Sequence, residues 1–325
     1  MKKVYILTTG GTIASKFNKE SGLYTSGAMT GEELVNTETA GSNLEIRVKS
    51  IFQIPSNAMT PTHLITLRQR IIETLEDKDV LGVVVTHGTD TLEESSYFMD
   101  LVLDVPQPVV FTGAQRTPGE EGTDAQTNIR DAVVAAASPA CRNLGVIVQF
   151  NENLYAAKYV KKVHSSNVEA FSSSRFGLLG YVDKQEIFVR QYPQMREVFS
   201  VIRPFPRVEI IKAALGGDGM LIDSAAGGGA SGLILEGFGR GHVPPDLIEA
   251  VSRASAAGIY VVIVTSCESG RVYPVYDFVG GVKNLQDVGA ITGHDYDSRK
   301  ARIKLMVMLA AGITSREKLQ QAFWV

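Results

Sequence analysis

A chain of 325 residues that is 44% hydrophobic is long and apolar enough to bury a substantial core, and one large or two ordinary domains are expected. With 32 Lys plus Arg against 35 Asp plus Glu the net charge is only −3, and no basic stripe is dense enough to neutralise a row of phosphates. No apolar run reaches membrane length, and the run after Met1, Lys2 and Lys3 is too short for a secretory leader, so neither nucleic acid nor membrane is expected as a partner and the expected compartment is the cytoplasm. Cys141 and Cys267 lie in different halves without metal-ligand or CxxC spacing and read as buried small hydrophobes.

In chain order, Val4, Tyr5, Ile6, Leu7 and Thr8 read as a strand running into Thr9-Gly10-Gly11-Thr12, where paired glycines permit a tight backbone and expose Thr12. The glycine spacing fits neither a dinucleotide fingerprint nor a P-loop. Residues 16–29 form a polar segment around Tyr24 that reads as a surface loop or a lid, and Thr30 with Glu33 supplies a capping box. A strand near 45–52 leads through Ser56 and Asn57 to a helix that begins at Pro61 and puts Leu64, Leu67, Ile71 and Leu75 on one face.

The stretch 81–94 carries the strongest signal. Val83, Val84 and Val85 suit a strand buried on both faces, residues 92–103 have apolar positions at helical spacing, and Thr91 with Glu94 reads as a capping box. His87, Gly88, Thr89 and Asp90 are thereby held between a strand's carboxyl end and a helix's amino end, where open α/β sheets bind ligands. Further β-loop-α units follow: a strand from Pro108 to Thr112 with Gly113 and Ala114 beyond it, a helix after Asp124, a strand over 145–150, and a basic cluster of Lys158, Lys161, Lys162 and His164. Most of these lysines should be solvated, but a buried one beside a carboxylate would suit proton transfer.

Pro193, Pro204 and Pro206 break the pattern. The expected fold class is α/β, with a larger doubly wound parallel-sheet domain over 1–190, a linker over 191–212 and a smaller α/β domain over 213–325. In the second part of the chain, strands are expected at 208–213, 231–237 and 259–265, and the chain ends in helices at 298–311 and 314–323, the second opened by a Thr314/Glu317 capping box.

Threonines at two strand ends, a neighbouring Asp90, a loop tyrosine and a lysine cluster suit nucleophilic acyl transfer, because a hydroxyl needs a base and backbone N–H donors for the oxyanion. No G-x-S-x-G or H-E-x-x-H accompanies them, which leaves the serine-hydrolase and zinc readings without support. Thr8-Thr9-Gly10-Gly11-Thr12-Ile13-Ala14 and Val85-Thr86-His87-Gly88-Thr89-Asp90-Thr91 closely resemble the two signature segments of the bacterial-type L-asparaginase and glutaminase-asparaginase family. Pro55-Ser56-Asn57, Gly122-Thr123-Asp124 with Asn128, Lys162, and the glycines from Gly237 to Gly241 before Pro244 extend the resemblance along the chain.

The resemblance implies hydrolysis of L-asparagine to L-aspartate and ammonia, with minor glutaminase activity on L-glutamine left open, no cofactor, no metal, and a homodimer or homotetramer. Carried over by position, Thr12 is the nucleophile that forms a β-aspartyl enzyme, and Tyr24 assists proton movement. Thr89, Lys162 and Asp90 form a second catalytic group. Ser56, Asn57 and Asp90, with Gly11, Gly88 and Ala114, line the substrate. Two rival readings stay open: the ammonia-releasing subunit of a tRNA-dependent amidotransferase, which normally has an extra amino-terminal domain, and a non-catalytic amino-acid sensor on the same fold.

Overall fold

The computed structural model describes residues 1–11, 13, 16–18, 23–25 and 44–324, and for 16–18 and 23–25 the backbone alone. The chain divides into two compact units, Met1–Val198 and Phe199–Val325. In the first, β1 (Lys2–Thr8) is followed by a short antiparallel pair, β2 (Lys16–Asn18) with β3 (Leu23–Thr25), and then by β4 (Leu44–Ser50). Alternation then takes hold: α1 (Pro61–Leu75), β5 (Val80–Thr86), α2 (Leu92–Val102), β6 (Val109–Thr112), α3 (Ala125–Ala137) and β7 (Val146–Phe150). The unit closes with β8 (Asn153–Ala156), the two-residue strands β9 (Lys161–Lys162) and β10 (Phe171–Ser172), β11 (Gly180–Asp183) and β12 (Glu186–Val189).

The main sheet has the order β12-β11-β8-β7-β6-β5-β1-β4. Its strands from β4 to β7 are parallel, and Val83, Val84 and Val85 are fully buried as a two-sided strand requires. From β7 outward the pairing is antiparallel, so the expected parallel sheet is a parallel-dominated one. The cause is local. Only Asn151 and Glu152 separate β7 from β8, both at positive φ (49° and 63°), and a two-residue turn makes a hairpin where a parallel partner would need a long crossover.

Leu64, Leu67, Ile71 and Leu75 of α1 are buried as their spacing predicts, and Pro61 opens the helix under a Thr60 cap. Helix α3 covers the face of the sheet that carries Val4, Ile6, Val84, Val110 and Ile147. The alternate residues Leu7, Val83, Val85 and Phe111 are buried on the other face, the side of α1 and α2, so the sheet is doubly wound. Counted along the chain, the parallel strands lie in the order second, first, third, fourth, fifth. Growth of the sheet therefore reverses at β1, and the carboxyl ends of β1 and β5 flank the switch point at which such sheets open a crevice.

The second unit has a fully parallel sheet, β13 (Val208–Lys212), β14 (Gly232–Gly237), β15 (Tyr260–Thr265) and β16 (Ile291–Thr292), in that order. Helices α4 (Met220–Gly227), α5 (Leu247–Ala256) and α6 (Val282–Asp287) pack with the face that carries Leu233, Leu235, Val261 and Ile263. Helix α7 (Ser298–Ala310) lies against β13, β14 and β15, and α8 (Arg316–Ala322) ends the unit. Lys304 of α7 is fully buried, and its Nζ donates to Tyr296 Oη at 2.9 Å and to the carbonyl of Ala322. The cap of α8 is Ser315, not Thr314: the Ser315 hydroxyl accepts the Lys318 N–H. Cys141 is buried, its thiol pushed up to about 12 by desolvation, whereas Cys267 is exposed, contrary to expectation. Thr30 and Glu33 lie outside the described residues. Among the described residues no helix is long and apolar enough to cross a membrane.

Candidate active site

Strands β1, β5 and β6 end level with one another, Thr8 beside Thr86 and Thr86 beside Thr112. Beyond β1 the chain turns through Gly10 and Gly11 at φ of 104° and 90°, a region that side chains avoid. Space demands glycine as well, since a Cβ on Gly11 would stand 2.5 Å from Gly88 Cα. A Cβ on Gly88 would in turn stand 2.7 Å from Ser56 Oγ. The loops after β1, β4 and β5 thus meet at Gly11, Ser56 and Gly88.

The loop after β5 carries the charge. Thr89 is buried, and Lys162 Nζ donates to its Oγ1 at 2.9 Å and to Asp90 Oδ1 at 2.8 Å. The lysine side chain is 14% exposed and the aspartate 69%, so the ammonium is largely withdrawn from water while its counter-ion reaches into it. Lys162 comes from β9, far along the chain, and its backbone N–H donates to Glu93 Oε2 at 2.8 Å.

Thr91 differs from expectation. It makes no capping bond to α2; its hydroxyl donates to the Ser56 carbonyl at 2.8 Å and ties the loop after β5 to the turn that carries Ser56. His87 is fully buried beneath the loop, with Nδ1–H donating to the Gly88 carbonyl at 2.8 Å. Burial lowers its pKa to about 4, so the ring is neutral at neutral pH. The loop after β6 is braced from α3. Asp124 accepts the N–H groups of Gln115 and Arg116 at 3.0 Å each, and Asn128 donates to the Gly113 carbonyl at 3.0 Å. This holds Ala114, itself buried, next to Gly113, whose own Cβ would lie 3.2 Å from Thr89 Cγ2.

Of the residues singled out from sequence, Gly11, Ser56, Gly88, Thr89, Asp90 and Lys162 come together here, with Ala114 in the adjoining loop. Asn57 is exposed beside Ser56. Thr12 and the side chain of Tyr24 lie outside the described residues; the backbone of Tyr24 pairs with Phe17. Sequence reasoning passed over Glu93. Its only signal was an acidic residue in the first turn of a helix that opens on a functional loop.

Residues 3–195 match the asparaginase N-terminal domain and residues 207–323 the glutaminase/asparaginase C-terminal domain. The chain belongs to the asparaginase family. This asparaginase-family chain is 47% identical over 310 residues to an L-asparaginase of Bacillus licheniformis, an alignment that covers 95% of it and 96% of the relative. It is 31% identical over 323 residues to one of the subunits of the glutamyl-tRNA(Gln) amidotransferase of Methanosarcina mazei, covering 95% of the chain and 74% of that protein. Among solved structures, a probable cytoplasmic L-asparaginase from Campylobacter jejuni superposes with a TM-score of 0.89 at 28% identity over 100% of this chain and 99% of the other.

Proposed function

We propose that the protein is an L-asparaginase that hydrolyses L-asparagine to L-aspartate and ammonia through a threonine nucleophile. The observation that carries this reading is the contact of Lys162 Nζ with both Thr89 Oγ1 and Asp90 Oδ1, within a loop packed against Gly11. An ammonium donating to a hydroxyl oxygen draws electron density from it, so the Thr89 O–H becomes a stronger donor toward whatever lies in front of it.

In this scheme the Thr12 hydroxyl attacks the side-chain amide carbon and gives up its proton, with Tyr24 as the relay. Backbone N–H groups beside Thr89 hold the oxyanion. Collapse of the tetrahedral intermediate breaks the C–N bond, the nitrogen leaves as ammonia after taking up a proton, and a β-aspartyl ester remains on Thr12. Water oriented by Thr89 and Lys162 then attacks that ester, releasing aspartate and restoring the Thr12 hydroxyl. Ser56 holds the substrate α-carboxylate, while the exposed Asp90 pairs with the α-ammonium and offsets the charge of Lys162. Asn57, Gly11, Gly88 and Ala114 complete the lining. L-Glutamine would enter as a minor substrate, because one methylene in a pocket is worth only about 1–3 kcal/mol. A division into a larger amino-terminal and a smaller carboxy-terminal domain, a dimeric or tetrameric assembly and a cytoplasmic location belong to the same proposal.

The test is ammonia release from L-asparagine and L-glutamine side by side, with Thr12→Ala as the blank and Thr89→Val and Lys162→Met as further variants. Turnover of asparagine that vanishes in all three, with far-UV spectra unchanged, is the expected result. A near-native rate in any one removes that residue from the mechanism. No turnover of either amino acid, while each still raises the melting temperature, would make the protein a sensor.

A further inference from the structure

We propose that Glu93 is a positioning residue that fixes Lys162 relative to Thr89, an inference that rests on the role given to Lys162 above. Glu93 is 2% exposed, and a carboxylate that deeply buried is costly unless its oxygens are hydrogen-bonded. One of them accepts the main-chain N–H of Lys162 at 2.8 Å across 69 residues of sequence.

Lys162 needs such an anchor. Its strand, β9, pairs with β10 over two residues only, Lys162 beside Phe171 and Lys161 beside Ser172, and a ribbon that short does not hold its own place. The adjoining Val163 N–H is used within the ribbon, donating to the Ala170 carbonyl at 2.8 Å, whereas the Lys162 N–H goes to Glu93. Glu93 sits in the first turn of α2, three positions beyond Asp90. One rigid loop-and-helix segment therefore grips Lys162 at both ends: Thr89 and Asp90 take its ammonium, and Glu93 takes its main chain. With the main chain released, the ammonium is no longer held at a fixed distance from the Thr89 oxygen, and a misplacement of about 1 Å near the reacting groups can cost about 100-fold in rate.

The experiment compares Glu93→Ala and Glu93→Gln with the unmodified protein, by steady-state kinetics on L-asparagine and by hydrogen exchange of the Lys162 amide. Glu93→Ala is expected to lower kcat by about 10–100-fold while KM stays within about threefold, and to speed exchange at Lys162. Glu93→Gln keeps an acceptor oxygen, so it should recover most of the kcat loss and keep Lys162 protected. A folded Glu93→Gln variant with a kcat as low as that of Lys162→Met would overturn the proposal, and it does so even if Glu93→Ala fails to fold. So would an unchanged kcat in Glu93→Ala with its Lys162 amide exposed. If the unmodified protein does not turn over asparagine, or if Lys162→Met does so at full rate, the functional reading fails on its own. The exchange measurement then decides the tie, and unaltered protection in Glu93→Ala would overturn it.

Discussion

His87 shows how a single residue can set the acid limit of this site. Its ring is buried without a partner for Nε2 among the described residues, and desolvation lowers its pKa from 6.5 to about 4. Unfolded, it protonates below about pH 6.5, whereas the native ring stays neutral down to about pH 4. The unfolded state therefore binds more protons across that window, and stability falls as pH drops through it, by on the order of 3 kcal/mol in total, with no further loss from this group below it. Chemical denaturation at pH 7 and at pH 4.5 should show this loss shrinking in His87→Gln. An equal loss in both proteins would assign the acid limb to other groups. Because His87 bonds to the Gly88 carbonyl, forced protonation would also reach the loop that carries Thr89.

At the scale of elements, the tie from Thr91 to the Ser56 carbonyl joins the loop after β5 to the turn after β4. Thr91→Val should keep α2 intact, since the hydroxyl caps nothing there, and should cost about 1 kcal/mol of stability for the lost bond. The proposed α-carboxylate site is what it loosens, so KM for asparagine should rise several-fold with kcat little changed; a fall in kcat at constant KM would contradict this. The same residue marks what was and was not legible beforehand. The buried strand at 83–85, the apolar face of α1, the starts of α2 and α3 and the polar ends of β1, β5 and β6 all followed from residue type and spacing, because these are local preferences. The capping pattern at Thr91 and Glu94 was equally local, and it lost to a carbonyl 35 residues away that no periodicity announces. The antiparallel flank was hidden for a similar reason, since a short apolar strand looks the same in either direction and only the two-residue turn at Asn151 fixes it. Thr89 and Asp90 were recognised through a signature segment and Lys162 through the resemblance that extends beyond it, none of them through spacing, and Glu93 had no comparable signal.

On the scale of the whole molecule, the first unit has its oldest-synthesised strand, β1, in the interior of the sheet, between β4 and β5. Neither neighbour is available until much more of the chain exists, and the contact from Lys162 to Thr89 spans a further 73 residues. Parallel pairings at such separations pay loop-closure entropy before any contact repays it, so they form slowly. The proposed site at the carboxyl ends of β1 and β5 is thus expected to form late in folding. On dilution from denaturant, helical signal should return first and ammonia release from asparagine should lag behind it; simultaneous recovery would mean that the sheet and its site close in a single step. Between those two moments the chain would hold most of its secondary structure and none of its chemistry.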